Sequence, residues 1–203
     1  SMENFSDMTV DYLNPYIFLH IDTLDSVSFP ESGIMCNAEY KYITDILSAH
    51  EADNVSVHRY FFNTEVYIPV YPRWALLFTY FFGAINGDDP PAVYYFLIGG
   101  MNNVNNIILP FTGLDYMEAS GTNIHAIGAG LQFEFHKNFF IIPRYNIARI
   151  KDSTKDVLSG NIDTVYGYGA SLGYRSIIGP IQLTGSHGNN HTFLYHFSIG
   201  FTF

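Results

Sequence analysis

Residues 124–138 read "IHAIGAGLQFEFHKN". Ile127, Ala129, Leu131, Phe133 and Phe135 alternate with Gly128, Gly130, Gln132, Glu134 and His136. Successive strand side chains leave the backbone on opposite sides, so a period of two marks a β-strand with two unlike faces. One face is apolar and large. The other is small and polar. In a soluble barrel or sandwich the apolar face is the core, and the second face needs Lys and Glu to meet water. Here the second face is Gly and Gln with few charges. That composition suits the lumen of a barrel, where small residues let strands coil, while the apolar face meets lipid.

The same pattern recurs along the chain. "VYGYGASLGYRS" (165–176) sets Tyr166, Tyr168, Ala170, Leu172 and Tyr174 against Gly167, Gly169, Ser171, Gly173 and Arg175. "GIMCNAEYKY" (33–42) sets Ile34, Cys36, Ala38, Tyr40 and Tyr42 against Met35, Asn37, Glu39 and Lys41. About nine strands follow from this period, at 12–23, 33–45, 57–71, 74–85, 123–136, 139–151, 164–177, 180–187 and 192–203. Many have the ~9–11 residues that a tilted strand needs to cross a bilayer. "FPES", "YPR", "HKN" and "IIGP" are short connections. The alternate connections, near 46–55, 86–122, 152–163 and 188–191, carry Asp, Asn, Gly and Ser and read as the longer set. Short turns on one side and long polar loops on the other fit a transmembrane barrel.

Composition agrees. Charged residues are 14% of the 203, against roughly 25% in a soluble domain. Aromatics reach 17%, and Tyr and Phe gather at strand ends, as interfacial girdles require. Mean hydropathy is only +0.08, and no apolar run reaches the ~18 residues of a spanning helix. A net charge of −10 disfavours nucleic acid, whose phosphates need Lys and Arg. Cys36 is the one cysteine, so no intrachain disulfide forms. Ser1-Met2 read as an expression scar. The expected fold is therefore all-β: one antiparallel transmembrane β-barrel domain over 1–203, about 8–10 strands per chain, with a long inserted loop at 86–122.

The chain ends "FLYHFSIGFTF" (193–203), an amphipathic strand closing on an aromatic. It resembles the C-terminal sorting signal of outer-membrane barrels, with Phe203 last, Phe201 third from last, Ile199 on the same face and His196 at the upstream polar position. Ser198 stands where that signal has Gly. The resemblance implies recognition by a barrel-assembly machinery through this strand.

Three further stretches carry a family likeness. "HIDTLDSVSFPESG" (20–33) resembles a strand–turn–strand element of bacterial surface-antigen barrels. "GPIQLTGSHGNNHTFLYHFSIGFTF" (179–203) resembles their last hairpin. "FTGLDYMEASGTN" (111–123) falls where that superfamily inserts its long loop, five strands before the end. Its "F-x-GL-x-x-M-E-x-x-G-x-N" pattern looks most like the barrels fused behind patatin-like phospholipases in Bacteroidetes-type bacteria. The resemblance covers about 20–203. It implies the outer membrane of a Gram-negative bacterium, and an anchor or translocator for an attached or partner domain, the membrane part of a patatin-like phospholipase. A full barrel of that superfamily has more strands. The chain would then be a truncated barrel, a small closed one, or a half that pairs with a second copy as a homodimer. A small stand-alone barrel, acting as a pore or presenting loops for surface binding, is the alternative.

In that superfamily the loop tip carries an Arg that meets an acid on the inner wall. Here the motif residues are Phe111, Gly113, Leu114, Asp115 and Glu118, with no Arg at the tip. An inverted pair is expected instead, Asp115 or Glu118 meeting Arg144 or Arg175. No cofactor is implied. His187 and His191 lack a third metal ligand in view. Glu39, Glu65 and Glu134 could share a lumen with Lys41 and Arg144, as a barrel interior requires. The patatin nucleophile needs a GxSxG elbow between a strand and a helix; the one such string here, Gly169-Ala170-Ser171-Leu172-Gly173, falls inside an alternating strand, so no catalytic residue is assigned and this chain is expected not to be an enzyme.

Overall fold

The computed structural model describes residues 13–44, 56–87, 90, 92–101, 108–151, 163–189 and 191–200. Its strands are β1 (Tyr16–Asp22), β2 (Gly33–Thr44), β3 (Ser56–Tyr71), β4 (Trp74–Gly87), β5 (Phe96–Ile98), β6 (Ile108–Leu109), β7 (Ala119–Gly121), β8 (Asn123–His136), β9 (Phe139–Lys151), β10 (Asp163–Ser176), β11 (Gly179–Gly188) and β12 (His191–Ile199). Nine form one antiparallel sheet in the order β1-β2-β3-β4-β8-β9-β10-β11-β12. Each long strand pairs with its neighbour in sequence, the β4–β8 step apart. The nine strands are those the period of two predicts, with ends shifted by a few residues.

The segment between β4 and β8 is more than a loop. It holds a single 3-10 turn at Ala92–Tyr94 and a small sheet in which β5 runs parallel to β6 and antiparallel to β7. The connection from β11 to β12 is a further difference. It was expected among the longer ones, yet it spans two residues, 189–190, because the ladder continues to Gly188↔His191. The other three loop-side connections are long. On the opposite side the connection expected to be short at "FPES" runs over 23–32, whereas the turns at 72–73, 137–138 and 177–178 are two residues each. Arg73 and Asn138 take left-handed backbone there (φ 70° and 65°), and Asn138 N–H donates to Glu134 Oε1 at 2.7 Å.

The faces divide as the lumen assignment requires. Ile127 is 57% exposed and Leu172 53%, on the outer face. Gln132 and Asn63 are 3% and 5% exposed on the inner one. Ser171 and Thr184 are buried beside each other, their hydroxyls 2.8 Å apart. Apolar outside and polar inside is the reverse of a water-soluble core, and is the arrangement lipid stabilises.

Aromatic contacts band the outer face at two levels. At the turn end Trp74 stacks on Phe133 (4.1 Å between centroids) and Phe139 lies on Tyr174 (4.5 Å). Toward the loop end Tyr42 packs on His58 (5.1 Å) and Phe82 on His125 (4.8 Å). Among the described residues β1 and β12 are the edges of the sheet and do not pair with each other. The described residues thus form part of a barrel wall.

Candidate functional site in the lumen

The inserted segment turns inward and fills the loop end of the lumen. Phe96, Ile98, Leu109, Phe111 and Leu114 pack against Phe61, Phe81, Ile85 and Ile124, which point inward from β3, β4 and β8. Gly83 makes room for Phe96: a Cβ there would sit 2.8 Å from the ring. The segment holds its own shape as well, since Phe111 N–H donates to Gly100 O (2.8 Å) and Gly100 N–H to Leu114 O (3.1 Å). Each such buried side chain contributes about 1.5–3 kcal/mol, so this end of the lumen is packed like a soluble core.

Two polar tethers hold the segment to opposite walls. On the β2–β3 wall, buried Arg59 donates to Glu39 Oε1 (2.7 Å) and to the Tyr94 carbonyl (3.2 Å), and lies over the Phe96 ring at 4.2 Å. Glu39 also meets Lys41 Nζ at 3.6 Å. Asn14 Nδ2 donates to the Tyr94 hydroxyl (2.9 Å). On the β9–β11 wall the tip Thr112-Gly113 lies directly on glycine backbone. A Cβ on Gly167 would overlap the Thr112 carbonyl oxygen, and one on Gly188 the Gly113 carbonyl oxygen. Gly113 itself has φ +98° and faces the His187 carbonyl. Asn146, with its amide oriented to satisfy its neighbours, accepts from Thr112 N–H at 2.8 Å and donates to the Tyr145 carbonyl at 2.9 Å.

The turn end of the lumen is built differently. The β1–β2 turn folds inward, with Phe29 buried in a left-handed conformation (φ 51°) and stacked on Phe140 at 4.6 Å. Gln132 Nε2 donates to the carbonyls of Phe29 (3.2 Å) and Pro30 (2.9 Å). Arg175 donates to the Phe29 carbonyl (2.9 Å) and covers the Phe140 ring at 5.0 Å. Between this turn and the inserted segment lies a chamber of ≈730 Å³, walled by Asn37, Asn63, Glu65, Arg144, Asn146 and Gln182 among others. Glu65, Tyr67 and Arg144 all line this chamber, so its wall carries an acid, a phenol and a cation.

Of the residues singled out in the sequence, Phe111, Gly113 and Leu114 come together inside the lumen. Asp115 lies exposed and pairs with neither arginine; its N–H donates to Glu118 Oε2 at 2.7 Å. Arg144 lines the chamber with Glu65, and Arg175 holds the Phe29 turn, so neither arginine is placed on Asp115 as expected. His196 and Ile199 lie on β12, and Phe201 and Phe203 fall outside the described residues. Among the described residues, no three His, Cys, Asp or Glu side chains are grouped to hold a metal. Sequence reasoning missed Arg59 and Phe29. Arg59 was visible as a lone cation in inward register between Val57 and Phe61.

An outward apolar face, an inward polar wall and a segment folded into the lumen define a membrane β-barrel with an internal plug. The OMP85 superfamily matches residues 3–203, and the chain belongs to that superfamily of outer-membrane barrels. Among solved structures it resembles that of BamA from Haemophilus ducreyi lacking POTRA domains 1–3, at TM-score 0.66 and 15% identity. That match covers 94% of this chain and 42% of the other, so the chain spans less than half of that protein's crystallised length. No curated protein matches the chain.

Proposed function

We propose that this chain is part of an outer-membrane β-barrel in a Gram-negative bacterium that anchors an attached or partner domain, or passes it outward. The observation that carries this reading is the lumen. An inserted segment packed into it and tethered on two walls suits a barrel that holds a domain, and does not suit an open pore. The attached domain we infer is a patatin-like lipase, on the "F-x-GL-x-x-M-E-x-x-G-x-N" pattern whose Phe111, Gly113 and Leu114 line the plug. The nine-stranded sheet has two free edges, β1 and β12. Further strands of a longer chain or a second copy would cover them, since exposed edges invite pairing. The C-terminal strand is the part we assign to recognition by an assembly machinery.

The test is reconstitution of the full chain in lipid vesicles and planar bilayers. Heat-modifiable gel mobility with no steady conductance is the expected result. A stable open-channel current would favour the pore reading. Solubility without detergent would overturn both. Mass in detergent separates a monomer from a dimer.

A further inference from the structure

The outward face of the nine strands is almost free of charge. Among strand residues with a described side chain, one Asp, Glu, Lys or Arg points outward: Arg149 on β9. Its neighbours Ala148 and Ile150 pack into the lumen core, which fixes Arg149 on the lipid side. Arg149 pairs in register with His125 on β8 and Thr164 on β10. His125 also faces outward, edge-on to Phe82 at 4.8 Å. No acidic side chain described on this face neutralises the pair.

A cation facing lipid costs about 2–4 kcal/mol at the bilayer midplane and ~0–1 kcal/mol at the interfaces. The height of Arg149 therefore decides its meaning. Phe139, in the turn-end girdle on Tyr174, and Arg149 are ten residues apart (149 − 139) on the same strand. At ~3.4 Å per residue and a tilt near 40°, that is about 26 Å along the membrane normal. The apolar band of such barrels is ~25 Å tall. With the turn-end girdle at one interface, Arg149 stands at the other, at headgroup level in the leaflet on the loop side.

We propose that Arg149, with His125 beside it, binds the phosphate of a lipid headgroup in the loop-side leaflet. A guanidinium presents a planar fork that fits two phosphate oxygens, and His125 adds a ring N–H from the adjacent strand. Phe82 and the apolar rows below supply the surface for the acyl chains. The site thus fixes the height of the barrel in the membrane at the strand from which the 152–162 connection departs. This inference rests on the membrane-barrel reading above.

The experiment uses the full chain, wild type against Arg149→Gln and Arg149→Lys. Trp74, the single tryptophan, sits in the opposite girdle and reports insertion by quenching with a brominated neutral lipid, independently of Arg149. Lipid retention is then read by native mass spectrometry in a maltoside detergent. Phosphatidylglycerol is compared with an uncharged diglycosyl lipid. Arg149→Gln is expected to weaken phosphatidylglycerol retention about fivefold and leave the glycolipid unchanged. Arg149→Lys should keep most of it. Equal retention by wild type and Arg149→Gln, with Trp74 quenched in both, would overturn the proposal while leaving the barrel reading intact. Inorganic phosphate that displaces the lipid completely at millimolar level would show a free-anion site and overturn it as well. Unquenched Trp74 would overturn the membrane reading itself, and this proposal with it.

Discussion

The two ends of the lumen solve the same problem in opposite ways. At the loop end, inward positions of β3, β4 and β8 are apolar except for Arg59, and a folded-in segment buries Phe96, Phe111 and Leu114 among them. At the turn end, inward positions include the polar Asn37, Asn63, Glu65, Gln132 and Arg144 beside the apolar Phe140 and Ile142, and the filler is one turn held by hydrogen bonds to its carbonyls and by Phe29 on Phe140. The first end is held mainly by burial, with Arg59 and Asn146 as tethers; the second combines the Phe29–Phe140 stack with directed polar contacts beside a chamber. A barrel interior can be greasy where a plug covers it and must be polar where it does not. The sign of the inner face therefore reports where the plug lies.

This contrast is sharpest at Phe96, which is fully buried and meets Phe81, Gly83 and Arg59 together. Phe96→Ala is expected to lower stability by about 3–5 kcal/mol, read as the urea midpoint in vesicles. It should also open the segment to a glutamate-specific protease at Glu118. An equal midpoint would mean that the loop end is not a packed core. Arg59→Ala comes next, at about 2–3 kcal/mol. It strips donors from the Tyr94 carbonyl and Glu39, though Glu39 keeps Lys41. Arg59→Lys should restore little, because an ammonium cannot serve Glu39 and the Tyr94 carbonyl as a fork does.

The β9–β11 wall tests whether the plug depends on shape. Gly167→Val places a side chain where the Thr112 carbonyl lies. Overpacking of this kind costs about 1–3 kcal/mol, and here it should act by expelling the tip. The expected signature is faster cleavage at Glu118 with an unchanged heat-modifiable band. If cleavage stays slow, the tip is held by the apolar contacts alone and the glycine surface is incidental.

How much of this was legible in the sequence follows the same divide. The alternation of Gly and Ser with Tyr and Leu in β10 gave its faces without ambiguity, because only one side was large. In β4, "WALLFTYFFGAI" is apolar on both sides. The period of two located the strand but said nothing of a plug, although a greasy inner face was the sign of one. The small β5–β6–β7 sheet was hidden because its strands have two or three residues each, too few for a period to show. Arg59 reaches a carbonyl 35 residues away, and Arg175 one 146 residues away. Such partners are chosen by the tertiary fold, which is why the expected pairing of Arg144 or Arg175 with Asp115 or Glu118 gave way to others.

The smallest expected effect tests whether the two ends are independent. Gln132→Ala removes the amide that donates to the carbonyls of Phe29 and Pro30, while Arg175 still donates to Phe29. Net loss of such bonds is worth about 1 kcal/mol, and the chamber beside the turn lets water take up the freed carbonyls. Hydrogen exchange should then quicken at the 23–32 turn, and cleavage at Glu118 should stay as in the wild type. Glu118 lies in the inserted segment, beyond the chamber. Faster cleavage there after a change at Gln132 would show that the lumen relaxes as one body, and that the polar end helps to hold the plug it does not touch.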